Sequence, residues 1–474
     1  MCKYKWKVIS LLLAASVVLG ACGAAGEEIK EQEESQQADK DSDEEADMDG
    51  SLSGPAGGEE EKELKEEAQT PDEGQEKTEQ PAVEEQEEEQ EAVGELEMKS
   101  GISIPQVEIA PDHIPDTEAM KFVKNMKAGW CLGNTLDSYN GSGNAGLASE
   151  ESWGNPETTK EMITTVKNAG FKTIRIPVTW HNHLEKEDGS NSFTISSDWM
   201  DRVQEVVDYA YDNEMYIILN IHHDTAADVY YPDSAHYEQS EIYIRTVWEA
   251  VADRFKDYDE HLIFEGMNEP RLIGSGYEWN FQESSAECQD SADCINRLNQ
   301  VFVDAVRASG GNNAARYLMV PGYAASLAGV TTDLFVLPTD SAENKLIVST
   351  HAYTPYNFAL QSPTEGGSTD SFPAEGGQGR ADIDYLVNSL YQKYVSQGIP
   401  VVMGEYGARN KNDNLQDRVN YYAYYVAAAR AKGITCCVWD NGAFAGNGEL
   451  FGILIRQKCV WAYPEVVNAI MAYA

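Results

Sequence analysis

Two glutamates in this chain each end an apolar run, Glu269 with Asn268 closing the fourth and Glu405 the seventh. Glu269 follows Phe264-Glu265-Gly266-Met267-Asn268, and Glu405 follows Ile399-Pro400-Val401-Val402-Met403-Gly404. Each run reads as a buried strand. A carboxylate at such a place is costly unless it is hydrogen-bonded or put to use. Two carboxylates on one barrel rim suggest a general acid/base and a nucleophile. Other polar residues mark the ends of neighbouring runs. Arg175 lies in Ile174-Arg175-Ile176-Pro177, and His222 and His223 follow Ile218-Leu219-Asn220-Ile221. His351 and Tyr353 end a sixth run, and Trp439 an eighth.

The elements that must position these residues are eight short apolar runs separated by helical patterns. The strands are expected at 128–132, 173–177, 216–221, 262–266, 317–320, 346–350, 401–404 and 435–439. Helices are expected at 156–169, 197–213, 241–256, 293–309, 383–397 and 415–432. Met200, Val203, Val206 and Val207 form one apolar stripe. Gly170 and Gly433 stand where helices stop. Strands alternating with helices predict the α/β class, with parallel strands inside and helices outside. About 360 residues suit a single (β/α)8 TIM barrel with long loops.

The N-terminus carries an address. Lys3, Lys5 and Lys7 precede an apolar stretch from Val8 to Leu19, and Leu19-Gly20-Ala21-Cys22 follows. Residues 1–21 read as a signal peptide, too short and wrongly flanked for a stable span. The ending resembles the lipobox of bacterial lipoproteins, which implies cleavage before Cys22, lipid on that cysteine, and a surface-tethered protein. Ordinary secretion with an incidental cysteine is the plainer alternative. From Gly23 to Met98 the chain has 30 acidic and 5 basic residues, or −25 of the formal −45. Such a tract buries too little apolar surface to order itself, and its like charges extend it. Residues 22–105 are therefore expected to be a disordered stalk, with calcium buffering or a basic partner as lesser readings, and 106–474 the catalytic domain. The net acidic folded part has no basic stripe, which argues against nucleic acid as a partner. Membrane contact is expected only through the lipid, and the protein is expected to be a monomer on the outer face of a cell envelope. Cys288 and Cys294 enclose what reads as a short polar loop and could bridge outside the cell. Cys131, Cys436, Cys437 and Cys459 read as small buried hydrophobes.

Taken in order, these segments resemble glycoside hydrolase family 5, the cellulase family. The resemblance covers roughly residues 120 to 472 and is carried by Gly-Trp-Cys-Leu-Gly-Asn-Thr-Leu-Asp at 129–137, Trp-Gly-Asn-Pro at 153–156, Ile-Arg-Ile-Pro-Val-Thr-Trp at 174–180 and Asn-Ile-His-His-Asp at 220–224. It continues through Asn-Glu-Pro-Arg at 268–271, His-Ala-Tyr-Thr-Pro-Tyr at 351–356, Gly-Glu-Tyr-Gly at 404–407 and Trp-Asp-Asn-Gly at 439–442. The family usually has Asn where this chain has Cys131. Subfamily 4, where endoglucanases, xyloglucanases and lichenases occur, is the most similar.

The resemblance implies a retaining endo-β-1,4-glucanase without a cofactor, acting on β-glucan or xyloglucan, with Glu269 as acid/base and Glu405 as nucleophile. Arg175 is then expected to hold and ionise Glu405. Asn268 would contact the sugar 2-hydroxyl, Tyr353 would bond the nucleophile and His351 would tune the acid/base. His222 and His223 invite a metal reading, but adjacent strand residues point to opposite sides and no third ligand stands at convincing spacing. At least one of them is expected to bind the sugar under attack. Trp439 is the best stacking platform, with Trp153, Trp180 and Tyr356 weaker candidates. Asn134 and Asp440 are expected either to bind sugar hydroxyls or to brace loops. His181 and His183 read as exposed loop residues. Mannan is a rival substrate, and a sugar-binding barrel without activity is a rival class that the intact glutamates argue against.

Overall fold

The computed structural model describes residues 96–99, 101–140, 146–186, 193–446 and 448–474. The signal segment, Cys22 and the acidic tract up to 95 lie outside the described residues.

The eight apolar runs form eight parallel strands: β1 (Ala128–Leu132), β2 (Thr173–Ile176), β3 (Tyr216–Asn220), β4 (Leu262–Glu265), β5 (Leu318–Pro321), β6 (Leu346–His351), β7 (Val401–Tyr406) and β8 (Thr435–Asp440). Each lies beside its neighbour in sequence, and β8 closes on β1 with Cys131 opposite Trp439. A helix follows every strand: α1 (Lys160–Asn168), α2 (Ser197–Tyr211), α3 (Tyr237–Arg254), α4 (Ala286–Ala308), α5 (Leu327–Thr331), α6 (Gln378–Lys393), α7 (Leu415–Ala431) and α8 (Pro464–Met471). Parallel neighbours require such crossovers, and the helices cover the outer face of the sheet. Side chains from the strands fill the interior, so both faces are buried and the strands read as continuous apolar runs.

Local chemistry sets the helix ends. The Thr159 hydroxyl accepts a hydrogen bond from the Met162 amide at the start of α1. Met200, Val203, Val206 and Val207 all point inward from α2. A further helix, Glu118–Asn125, escapes the sequence reading. The Thr117 side chain caps it, and the Phe122 ring stacks on Tyr317 at 3.7 Å and meets Tyr216 edge-on at 5.2 Å. Those tyrosines stand where β5 and β3 begin, so this helix covers the floor of the barrel and leaves the opposite rim for chemistry.

Ordered packing starts upstream of residue 106. The Leu96 amide donates to Asn468 Oδ1 at 3.1 Å and the Lys99 amide to Glu465 Oε1 at 2.6 Å, both on α8. Leu96, Ile102 and Ile104 add apolar cover to the core.

The reading of Cys288 and Cys294 is corrected. Both lie within α4, which begins earlier than the sequence pattern suggests, and both are free and buried. Six residues along a helix is about 9 Å of rise, too far for a disulfide. Cys131, Cys436 and Cys437 are also free and buried. Among the described residues no helix is long and apolar enough to cross a membrane.

Candidate active site

The polar residues converge at the C-terminal rim of the barrel. Their hub is Arg175, fully buried on β2. Its Nη1 donates to Glu405 Oε1 at 2.7 Å, its Nε to Glu265 Oε2 at 2.8 Å, and its Nη2 to Asn268 Oδ1 at 2.6 Å. A planar fork with five donors is suited to such sharing, and a lysine is not. Burial would lower the pKa of the guanidinium, but Glu265 and Glu405 outweigh it and raise the pKa well above its ordinary value.

Glu405 reaches the cleft through a bulge. On one side Thr350 pairs with Met403 but His351 pairs with Glu405. On the other side Cys436 pairs with Met403 and Val438 with Tyr406. β7 thus carries one extra residue against both neighbours, at Gly404–Glu405, and such an extra residue re-aims the side chains beside it. Tyr353 Oη donates to Glu405 Oε2 at 2.8 Å, so Arg175 and Tyr353 hold both oxygens. The same bulge needs glycine. A Cβ on Gly404 would lie 2.8 Å from His351 Nε2. Gly404→Ala is therefore expected to cost about 1–3 kcal/mol of stability and, by displacing His351, up to about 100-fold in kcat/KM. Thermal melts with kinetics on one soluble substrate check it, and an alanine variant with unchanged kinetics would contradict it.

Glu269 stands beyond β4, not on it. The residue that ends β4 is Glu265, and the sequence reading missed its role. Glu265 is wholly buried. Besides Arg175 it accepts hydrogen bonds from Asn220 Nδ2 at 2.9 Å and from the Ser349 hydroxyl. Its signal was available, since a glutamate inside Leu-Ile-Phe-Glu needs a buried partner. Glu269 faces the cleft with 16 % of its side chain exposed, against 7 % for Glu405. His351 Nδ1 lies 2.8 Å from Glu269 Oε1 and 3.8 Å from Glu405 Oε1. Atoms of Glu269, His351 and Glu405 lie within 4.8 Å of one another. Burial pushes the Glu269 pKa up, but the bond and charge of His351, with Arg271 and Arg175, pull it below the ordinary value. In His351 burial is likewise outweighed, by Glu405 and by the bond to Glu269, so its pKa is raised.

His222 and His223 reach the same face because β3 ends at Asn220, before them. Their rings are 4.4 Å apart and perpendicular. His222 Nε2 lies 3.9 Å from Glu405 Oε1. Burial, with His223 and Arg175 nearby, drives the His222 pKa well below its ordinary value. His223 Nε2 lies 3.5 Å from Asp137 Oδ2, so the fold brings in a third metal-type group that the sequence spacing did not suggest. The Asp137 carboxylate already accepts hydrogen bonds from the amides of Asn134 and Thr135 at 3.1 and 2.7 Å.

The aromatic candidates divide. Trp439 lies parallel to His222 at 5.9 Å and packs against Gly133, where a Cβ would come within 2.6 Å of the indole. Trp153 is 38 % exposed with its ring 5.3 Å from His223, and Tyr356 is 57 % exposed at the start of a short helix, Tyr356–Ala359, after β6. Trp180 is corrected as a platform. It is 1 % exposed, and its Nε1 donates to the Asn220 carbonyl at 3.0 Å, so both faces belong to the core. Asp440 is corrected as a sugar ligand. It is fully buried and accepts from Trp130 Nε1 and from the amides of Gly442 and Leu454. Asn134 adopts a left-handed backbone (φ 56°), and its carbonyl accepts from Asn155 Nδ2, which braces the first loop. His183 is not an exposed loop residue. It is buried and stacks on Trp199 at 3.6 Å, while His181 Nδ1 lies 2.9 Å from Asp224.

The sequence of the rim has parallels. The cellulase (glycosyl hydrolase family 5) profile matches residues 136–445. A glycoside hydrolase 5 lichenase variant from Caldicellulosiruptor sp. F32, solved with cellotetraose, is 56 % identical with a TM-score of 0.77, covering 79 % of this chain and 100 % of that one. A broad-specificity endoglucanase of subfamily 4 from Ruminococcus champanellensis, solved with cellotriose, is 43 % identical with a TM-score of 0.69, covering 76 % of this chain and 100 % of that one. Endoglucanase B of Ruminococcus albus is 43 % identical over 375 residues, 78 % of this chain and 85 % of that protein. With a family profile that spans most of the barrel and a rim whose two cleft carboxylates meet across one histidine, the chain belongs to the cellulase family, glycosyl hydrolase family 5, and is a glycoside hydrolase.

Proposed function

We propose that this enzyme is a retaining endo-β-1,4-glucanase, with Glu405 as nucleophile and Glu269 as acid/base. The observation that carries the reading is the closeness of the cleft carboxylates, each of which brings an oxygen within 4.8 Å of the other and within reach of His351. That closeness suits double displacement, which needs about 5–5.5 Å between the carboxyl groups, better than inversion, which needs about 6.5–9.5 Å. In the first step Glu405 bonds to the anomeric carbon as the glycosidic bond breaks. The proton for the leaving oxygen comes from the Glu269–His351 pair. In the second step water attacks the same carbon, gives its proton to Glu269, and releases Glu405. Arg175 and Tyr353 position the nucleophile. Asn268 gives its carbonyl oxygen to Arg175, which leaves its amide hydrogens free for the sugar 2-hydroxyl. His222, His223 and Trp439 would hold the ring under attack, and Trp153 and Tyr356 would serve sugars further along the cleft.

The β-1,4-glucan preference rests on the likeness to endoglucanases and to relatives solved with cello-oligosaccharides. The subfamily 4 relative is described as of broad specificity, so xyloglucan and lichenan belong in the same assay. Endo action predicts that the viscosity of carboxymethyl cellulose falls far faster than reducing ends appear, and that proton NMR detects the β-anomer first. Early α-anomer would reject retention, and a kcat/KM far higher on mannan than on every β-glucan would replace the substrate. Lipid on Cys22 would tether the enzyme outside the cell, and an unmodified N-terminus elsewhere, found by mass analysis of the native protein, would rule that out.

The shared proton also predicts a pH dependence. Glu269 lies below, and His351 above, its ordinary value, so the pair keeps one proton on the imidazole side at rest. That proton is present below the raised pKa of His351 and is lost as pH rises through it. The alkaline limb of kcat/KM on unactivated glucan is therefore expected above the ordinary histidine value of 6.5. An aryl cellobioside with a good leaving group, which needs no proton, should lose this limb. A limb well below 6.5 would place the proton elsewhere.

A further inference from the structure

Asn220 lies at the end of β3 and is fully buried. Its amide has one possible orientation. Oδ1 accepts a hydrogen bond from the Val178 amide at 3.2 Å. Nδ2 lies 2.9 Å from Glu265 Oε2, and a carboxylate held by Arg175 can only accept. Flipping the amide would set oxygen against oxygen on one side and two donors face to face on the other. The second hydrogen of the same Nδ2 points at His222 Nδ1, 3.1 Å away.

We propose that Asn220 is a positioning residue that locks His222 as the Nε2–H tautomer. A donor aimed at Nδ1 requires a lone pair there, so in the neutral ring the proton sits on Nε2. The opposite edge of the ring, toward Glu405 at 3.9 Å, therefore presents a hydrogen-bond donor. Glu265 anchors the device, because the carboxylate that engages Arg175 also dictates which way Asn220 faces. The depressed pKa of His222 agrees with a neutral ring. A sugar hydroxyl at this edge must accept from His222. The same proton opposes capture of a transition metal by Asp137, His222 and His223, since Nδ1 is taken by Asn220 and Nε2 has no free lone pair. That His222 meets substrate rests on the function proposed above, whereas the tautomer lock does not.

The test uses the full-length protein labelled with 15N at its eight histidines, with His222 assigned by its loss in His222→Gln. Long-range proton–nitrogen correlation is expected to find Nε2 protonated and Nδ1 bare. A bare Nε2 with a proton on Nδ1 would overturn the proposal. The groups facing this ring are His223, Arg175, His351, Arg271 and Glu405, so spectra are recorded across pH to keep their titration apart from the tautomer. Asn220→Asp supplies the second readout. An acid hydroxyl has one hydrogen where the amide has two, and Glu265 takes it, leaving an acceptor against His222. Nδ1 should then become protonated and kcat/KM on β-glucan fall about 10- to 100-fold. An unchanged tautomer in a folded Asn220→Asp would sink the lock. If that variant does not fold, the wild-type spectrum decides alone. A wild-type protein with Nε2–H but no activity on any β-glucan would remove the substrate reading and leave the lock standing.

Discussion

Glu405→Ala is expected to lower turnover on β-glucan by at least about 10⁴-fold, the scale on which loss of a nucleophile acts. The structure supplies no substitute, since Glu265 is buried behind Arg175 and Glu269 lies on the other side of His351. Azide should restore part of the rate on an activated aryl cellobioside and give the α-glycosyl azide, because it attacks from the face that Glu405 has vacated. Glu269→Ala behaves differently. It should lose about 10²–10⁴-fold on unactivated glucan and much less on an activated aryl glycoside. Azide should speed it and give the β-glycosyl azide, by attack on the glycosyl-enzyme. A β-azide from the Glu405 variant, or equal losses on both substrate types for Glu269→Ala, would exchange or abolish the assigned roles. Proton NMR of the products decides between them.

The second large effect is expected at Arg175. Removing it leaves Glu265 and Glu405 facing one another without a cation, both of them buried. Breaking a buried pair in this way costs about 3–5 kcal/mol, so Arg175→Met should unfold at markedly lower denaturant. Arg175→Lys separates charge from geometry. It keeps the cation but cannot reach Glu265, Glu405 and Asn268 at once. This variant should fold and yet lose about 100-fold in kcat/KM, since a misplaced nucleophile costs that much. Urea titrations and kinetics measured together check it. A lysine variant of near-normal activity would mean that charge alone is needed and that the fork is structural.

The barrel was legible because its signal is local and periodic. Eight apolar runs, six of them followed by a helical pattern such as the stripe of Met200, Val203, Val206 and Val207, specify parallel strands under helices without reference to anything distant, while the short helices Leu327–Thr331 and Pro464–Met471 went unread. Glu269, Glu405, Arg175, Asn268, His351 and Tyr353 were readable by type and by position at strand ends, and the fold brings them together. The aromatic candidates were less so. Trp180 and Trp439 have the same residue type and both stand near strand ends, and only packing separates the indole sealed into the core from the one beside His222. Cys288 and Cys294 misled for a related reason, since polar residues between them suit a loop or an exposed helix face equally well.

The sequence by itself determined the barrel and which carboxylates its strands carry to one rim, since both follow from the order of short apolar runs and their polar ends. Tertiary structure alone decided how those groups are joined. Arg175 meets Glu265 and Glu405 across 90 and 230 residues of chain, and that pairing exists only once the barrel closes. One extra residue at Gly404–Glu405, measured against β6 and β8, aims the nucleophile. A bulge is a mismatch between strands, so no single strand carries its signature.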